Sequence, residues 1–215
     1  MKINKVIPTV FARNKKEFNE RLEGLIGIAG NIQVDIGDGK FVKFKSISIK
    51  DIPNLGKYKN NFEVHLMVKN PENYIKLAKS KGFDKIIFHY EAIGRMEIDG
   101  LIEKIKRMKM KVFIALNPET DISKILPFLS KVDGVLLMGV HPGGEHKKFI
   151  PKIYSKIIKL KKFDSGIQIE IDGGVNFNNI RRLATVGANE VSSGSLVAES
   201  SNPGKTIKKL KKMFI

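Results

Sequence analysis

The sequence predicts a single-domain α/β protein, a closed (β/α)8 barrel of the TIM type, and three observations carry that expectation. Eight short apolar runs recur roughly every 26 residues, the length of one strand, one helix and two loops. The stretches between them have helical rather than alternating period. Several runs also end on a polar or glycine-rich cluster, which places chemistry-bearing residues at the same end of successive parallel strands. Strands alternating with helices and apolar on both faces imply parallel pairing with right-handed crossovers, and eight units favour closure. The alternative, an open doubly wound sheet, would carry a glycine-rich dinucleotide turn after its first strand, and this chain has none.

The elements follow in order. VIPTV (6–10) is the first strand and brings Thr9 to its carboxyl end. Residues 14–28 set Phe18, Leu22, Leu25 and Ile26 on one helical face, with Asn14 as the expected N-cap. IQVDI (32–36) carries Gln33 and Asp35. The helix expected after it, around 46–58, is reduced by Pro53 and Gly56 to one or two turns. FEVHLMV (62–68) carries His65 and Met67. NPENYIKLAKSKG (70–82) then starts on Asn70 as a candidate cap, with proline at the first helical position, and stops on Gly82.

KIIFH (85–89) and KVFIAL (111–116) are the fourth and fifth strands, separated by a helical pattern over 96–109. GVLLMGV (134–140) presents Met138 and is followed by a helix over 149–162. IQIEI (167–171) leads into Asp172, and NFNNIRRLATVGA (176–188) starts on Asn176 and ends at Gly187. EVSSG (190–194) is the eighth strand, and a helix over 202–214 closes the chain. No linker or composition break divides residues 1–215, so one barrel domain is expected.

Composition narrows the function. No apolar run approaches the roughly 20 residues that span a bilayer, so no membrane partner is expected. The amino terminus returns to charge too soon for a secretory signal, and a cytoplasmic location fits. The absence of cysteine excludes disulfides, thiolate metal sites and a cysteine nucleophile. The net charge of +17 raises nucleic acid as a partner. Only six of the 39 basic residues are arginine, there is no tryptophan, and the lysines spread over every helical segment. That pattern describes solvated lysine-rich faces, so nucleic acid is not the expected partner; the same field would steer an anionic small substrate inward.

An aspartate after a strand often caps the next helix, and either Asp35 or Asp172 alone admits that reading. Two of them, in VDIGDG and EIDGG at the ends of strands two and seven, can instead face each other across a bound sugar. One would remove a proton beside a carbonyl and the other would return one on the opposite face. A lone histidine near an apolar strand is commonly a satisfied core residue. Grouped with Gln33, Asp35 and Asp172, His65 completes a four-ligand divalent site able to polarise an enediolate oxygen. Glutamine in that set lowers the expected affinity for zinc. Gly173 and Gly174, and Gly194 with Ser195, follow strands seven and eight, where barrels of this kind bind phosphate on backbone N–H groups.

Taken together, Pro8-Thr9, QVDIGDGKFV (33–42), EVHLMV (63–68) with NPENYI after it, HYEA (89–92), LNPET (116–120), IDGGV (171–175) and Gly194-Ser195 resemble the ribulose-phosphate 3-epimerase family over nearly the whole chain. The resemblance implies an isomerase of the pentose phosphate pathway that inverts C3 of a phosphorylated ketose, converting ribulose 5-phosphate to xylulose 5-phosphate. It makes Asp35 and Asp172 the catalytic pair. Thr9, His65, Met67, Met138, Gly143, Gly144, Gly173, Gly174, Gly194 and Ser195 become the substrate-binding set. The metal set is Gln33, Asp35, His65 and Asp172, holding a divalent ion (Zn, Fe, Mn or Co), and the protein is expected to be a homo-oligomer.

The chain departs from the family pattern at particular positions. Gln33 replaces a histidine ligand, Gly37 replaces a methionine, and Thr9 replaces a serine while keeping the hydroxyl. The loop after strand six, Asn-Pro-Gly-Phe-Gly-Gly-Gln in the family, reads HPGGEHK (141–147), with Glu145 and His146 at two glycine positions. Gly37 and the altered loop suggest room for a larger sugar, so a hexulose-phosphate 3-epimerase is the second reading. A non-catalytic phosphosugar-binding relative is the third.

Overall fold

The computed structural model describes residues 5–144 and 146–214. Eight parallel strands, β1 (Lys5–Val10), β2 (Asn31–Gly37), β3 (Asn61–Met67), β4 (Lys85–His89), β5 (Lys111–Leu116), β6 (Gly134–Met138), β7 (Gln168–Asp172) and β8 (Glu190–Ser193), pair in chain order. β8 pairs back onto β1 and closes the barrel. All eight fall where the apolar runs place them. Their near-continuous burial is what a parallel sheet covered on both faces requires.

Around the barrel lie α1 (Lys15–Glu23), α2 (Ile75–Ser80), α3 (Ile98–Arg107), α4 (Ile153–Phe163), α5 (Ile180–Val186), α6 (Ser195–Ala198) and α7 (Pro203–Met213). Asn14 caps α1 by accepting from the Glu17 N–H. Gly187 ends α5 in the left-handed conformation that a glycine adopts at no steric cost. Asn70 is a correction. It is itself left-handed, with φ of 53°, and its side chain makes no capping bond. Pro71 at the head of the following 3₁₀ turn supplies the start instead.

Two crossovers carry no α-helix. Single 3₁₀ turns at Ile49–Asp51 and Leu55–Lys57 connect β2 to β3, as Pro53 and Gly56 imply. Between β5 and β6, 3₁₀ turns at Ile122–Lys124 and Leu126–Lys131 take the helix's place, and Pro127 falls inside the second.

Two apolar layers result. Outward-facing strand residues such as Val34, Ile36, Val64, Leu66, Ile169 and Ile171 pack under the helices with Phe18, Leu22, Phe83 and Ile157. Inside the barrel a smaller cluster, Ile87, Phe113, Ala115, Leu136, Met138 and Val140, fills one side. Much of the rest of the interior is polar, with Ile7 and Met67 as apolar exceptions. Near the amino-terminal end Lys85 is ringed by Glu63 at 2.6 Å, Glu170 at 2.8 Å and Glu190 at 3.0 Å. A buried ammonium among carboxylates is tolerable only because it is paired on several sides. Burial alone would lower its pKa, but the charges of Glu170, Glu63 and Glu190 raise it instead. Burial and the adjacent Glu170 push Glu63 well above the ordinary carboxylate range.

Candidate active site

Strand alternation builds the site. Along β2, Gln33, Asp35 and Gly37 face the barrel axis while Val34 and Ile36 face the helices. On β3 the same alternation turns Glu63, His65 and Met67 inward, on β7 Glu170 and Asp172, and on β8 Glu190 and Ser192. Register sets Asp35 beside His65, Met138 beside Asp172 and Asp172 beside Ser192. The two aspartates thus come from separate strands and line one cavity at the carboxyl mouth.

Thr9, Met67, Met138, Gly143, Gly144, Gly173, Gly174, Gly194 and Ser195 line the same cavity. His65 does not. It is fully buried beneath the aspartates, so its contact is with the acids rather than with a ligand in the cavity. Gly173 and Gly174 have φ of 93° and 69°. A Cβ at Gly173 would lie 2.4 Å from Val140 Cγ2, and one at Gly174 would lie 2.9 Å from the Phe149 backbone. Only glycine passes between those neighbours and the cavity. Phe11, Val140 and Leu196 supply apolar wall that the sequence reading did not assign.

At the floor, His65 Nδ1 lies 3.0 Å from Asp172 Oδ2 and 3.4 Å from Asp35 Oδ1. The Nδ1 atom makes no hydrogen bond in the alignment it has. These three ligand atoms all lie within 4.8 Å of one another, and the donor set of one imidazole and two carboxylates suits a divalent ion. Gln33 enters differently. Its Nε2 donates to Asp35 Oδ1 at 2.9 Å and Asp172 Oδ2 at 3.1 Å, and its Oε1 accepts from Ser192 Oγ at 3.0 Å. In this orientation the amide presents donors, not a ligand oxygen, to the other three residues.

Burial raises the Asp35 pKa to about 6, assisted by the negative charge of Asp172 and opposed by His65 and Gln33. Burial alone would lower His65, but its contacts with Asp172 and Asp35 outweigh that and raise it to about 10.

Behind His65 lies a second layer. Its Nε2 meets His89 Nε2 at 2.9 Å, the rings stacked 5.0 Å apart. His89 Nδ1 is 3.4 Å from Glu91 Oε2. The other oxygen of Glu91 accepts from the Asn117 backbone N–H at 2.8 Å and from the Thr120 hydroxyl. Lys156 closes the layer by donating to the carbonyls of Asn117 and Thr120. Glu91 thus favours a proton on His89 Nδ1, leaving Nε2 to accept from His65 and fixing which nitrogen of His65 faces the acids. HYEA and LNPET were legible as motifs, but nothing in their spacing showed that they meet beneath the acid pair.

Gly37 requires a correction. A Cβ there would lie 2.6 Å from Phe44 Cδ1 and 2.8 Å from Phe44 O. The phenylalanine ring, stacked on Phe11 at 3.9 Å, occupies the space that a missing methionine seemed to free. The glycine therefore opens no room for a larger sugar.

The loop after β6 lies over the mouth. Gly143, with φ of 85°, sits against Val42, and Lys147 Nζ donates to the carbonyls of His141 and Pro142 at 2.9 and 3.1 Å. His146 Nε2 is 3.0 Å from Glu199 Oε1. Glu145, the acidic replacement in this loop, lies outside the described residues.

A closed eight-stranded barrel with an acid pair and glycine loops at its carboxyl mouth is the architecture of a barrel enzyme. The particular family follows from comparison. Residues 5–198 match the model of the ribulose-phosphate 3-epimerase family, and the chain belongs to that family, whose named members are isomerases. It is 30% identical over 213 residues to the cytoplasmic isoform of ribulose-phosphate 3-epimerase from Oryza sativa, covering 97% of this chain and 93% of that one. It is 31% identical over 212 residues to the ribulose-phosphate 3-epimerase of Schizosaccharomyces pombe, covering 96% and 92%. The Aquifex aeolicus enzyme of the same name is 30% identical, with 97% and 96% covered. Among solved structures, KGPDC from Streptococcus mutans superposes with a TM-score of 0.76 at 13% identity, covering 99% of this chain and 97% of that one. Orotidine 5'-monophosphate decarboxylase from Methanocaldococcus jannaschii gives 0.67 at 18%, covering 99% of each, and both support the fold alone. Among the described residues no helix is long and apolar enough to cross a membrane.

Proposed function

We propose that this protein inverts C3 of a phosphorylated ketose, interconverting ribulose 5-phosphate and xylulose 5-phosphate. The observation that carries the reading is the placement of Asp35 and Asp172, from β2 and β7, on one cavity, with Gln33 and His65 buried behind them and in contact with both carboxylates. The relatives' names supply the substrate.

One aspartate takes the C3 proton and leaves an enediolate; the other delivers a proton to the opposite face, so the carbon inverts and no net proton is consumed. A base with a pKa near 6 is better matched to that task at neutral pH than an ordinary carboxylate. His65 and the Gln33 amide hold the two carboxylates toward the same carbon. Met67, Met138 and Phe11 exclude water from the intermediate. The backbone N–H groups of the Gly173–Gly174 and Gly194–Ser195 turns face the phosphate. When Asp35, His65 and Asp172 hold a divalent ion, it supplies positive charge for the enediolate oxygens. A cytoplasmic location and a homo-oligomeric state complete the proposal; light scattering tests the latter.

The decisive measurement is solvent deuterium incorporation at C3 of ribulose 5-phosphate together with formation of xylulose 5-phosphate. Wild-type protein is expected to do both. Asp172→Asn and Asp35→Asn are each expected to lower turnover by at least roughly 10²–10⁴-fold. Xylulose 5-phosphate formed at the wild-type rate in either variant removes the two-acid mechanism, whereas exchange without inversion is what the one remaining acid gives. Binding without exchange in the wild type would instead make this a phosphosugar-binding relative.

A further inference from the structure

Gln33 is fully buried, with polar neighbours on both sides of its amide. On one side are the carboxylates of Asp35 and Asp172; on the other is Ser192 Oγ, 3.0 Å from Oε1. Ser192 Oγ also lies 2.5 Å from Glu170 Oε1. As placed, both the amide oxygen and Glu170 call for the serine proton, and a hydroxyl has only one to give. The other oxygen of Glu170 faces the Lys85 ammonium at 2.8 Å, so Glu170 acts as a charged acceptor and is the stronger claimant. Once Ser192 donates to Glu170, only lone pairs remain for Gln33. The amide satisfies them by turning its NH₂ toward Ser192, which swings Oε1 toward Asp35 and Asp172. Three oxygens then crowd one point beside His65 Nδ1, an arrangement that a cation stabilises and that repels without one. With no cation present, the opposite orientation, NH₂ toward the acids, is the favourable one.

We propose that Ser192, anchored on Glu170, is a positioning residue that turns the Gln33 amide oxygen onto a divalent ion held with Asp35, His65 and Asp172. The site then has one nitrogen and three oxygen ligands. It is harder than one built on two imidazoles and is tilted from Zn²⁺ toward Mn²⁺. Gln33 thereby acts as a reversible element, a donor clamp between the acids when empty and a ligand when loaded. The inference rests on the metal-assisted reading above.

Calorimetric titration of the metal-stripped full chain with Mn²⁺ and with Zn²⁺ tests it, with circular dichroism melts as a check on folding. Ser192→Ala is expected to weaken Mn²⁺ binding about 10-fold, and Ser192→Thr, which keeps the hydroxyl, to restore most of it. Gln33→His is expected to raise the ratio of Zn²⁺ to Mn²⁺ affinity by about 10-fold or more. A folded Ser192→Ala that binds Mn²⁺ as the wild type does overturns the proposal, as does an unchanged ratio in Gln33→His. Should Ser192→Ala fail to fold, crystals of wild-type protein grown with Mn²⁺ decide. A Gln33 side-chain atom at coordinating distance supports the proposal, and a water in its place overturns it. A wild type that binds neither ion overturns both this proposal and the metal-assisted reading, while C3 deuterium exchange separately decides the epimerase reading.

Discussion

Gly37 and Phe44 show how one position becomes intelligible only through another. The sequence shows a small residue where the family has a large one, and an empty space is the natural inference. Phe44 closes that space from a loop seven residues later in the chain. Gly37→Met is therefore expected to destabilise the protein by about 1–3 kcal/mol through overpacking. Pairing it with Phe44→Ala should recover part of that loss, because the new side chain then occupies the vacated volume. Thermal melts of the two single variants and the double variant measure the coupling; additive effects would mean that the two residues do not share one space. The catalytic candidates were legible at this same scale because an aspartate that ends a buried strand needs a reason. The role of Ser192 was not, nor was the place where His89 and Glu91 of the HYEA motif meet His65, since both depend on closure of the barrel.

At the scale of elements, the turn after β2 depends on Asp38. Its carboxylate accepts from the backbone N–H groups of Lys40 and Phe41 at 2.8 and 2.9 Å, and from that of Lys69 beyond β3 at 2.8 Å. Partial burial would raise its pKa, but these bonds outweigh it and lower the group below its ordinary 3.8. A depressed carboxylate adds stability above its unfolded pKa and loses it as the pH falls through the folded value. Asp38→Asn is thus expected to melt below the wild type at neutral pH, with the gap narrowing below about pH 4 as the wild-type group takes up a proton. A gap that stays constant from pH 7 to acid would show that charge at Asp38 does not hold the turn. Strand positions and the Asn14 cap were legible from local pattern. Asn70 misled because a left-handed residue before a proline resembles a cap in sequence and differs only in backbone dihedral.

The whole molecule carries a net charge of +17 spread over lysines. If the substrate is a phosphorylated sugar, that field is expected to speed its arrival, so kcat/KM should fall several-fold between 20 and 300 mM monovalent salt while kcat changes little. Stopped assays at fixed pH across that range check it; a salt-independent kcat/KM would leave the lysines as solvation alone.

The barrel was legible in local pattern alone, because burial on both faces and a strand–helix alternation repeated eight times leave few other ways to hide so much apolar surface. The same pattern also showed which residues stand at the carboxyl ends, since strand period fixes which of them face inward. Tertiary structure alone decided what those residues meet. Lys85, Glu170, Ser192 and Gln33 lie on β4, β7, β8 and β2, far apart in the chain, and form one polar column only when the sheet closes on itself. Hydrogen bonds across a barrel depend on register and shear, which no local stretch of sequence encodes.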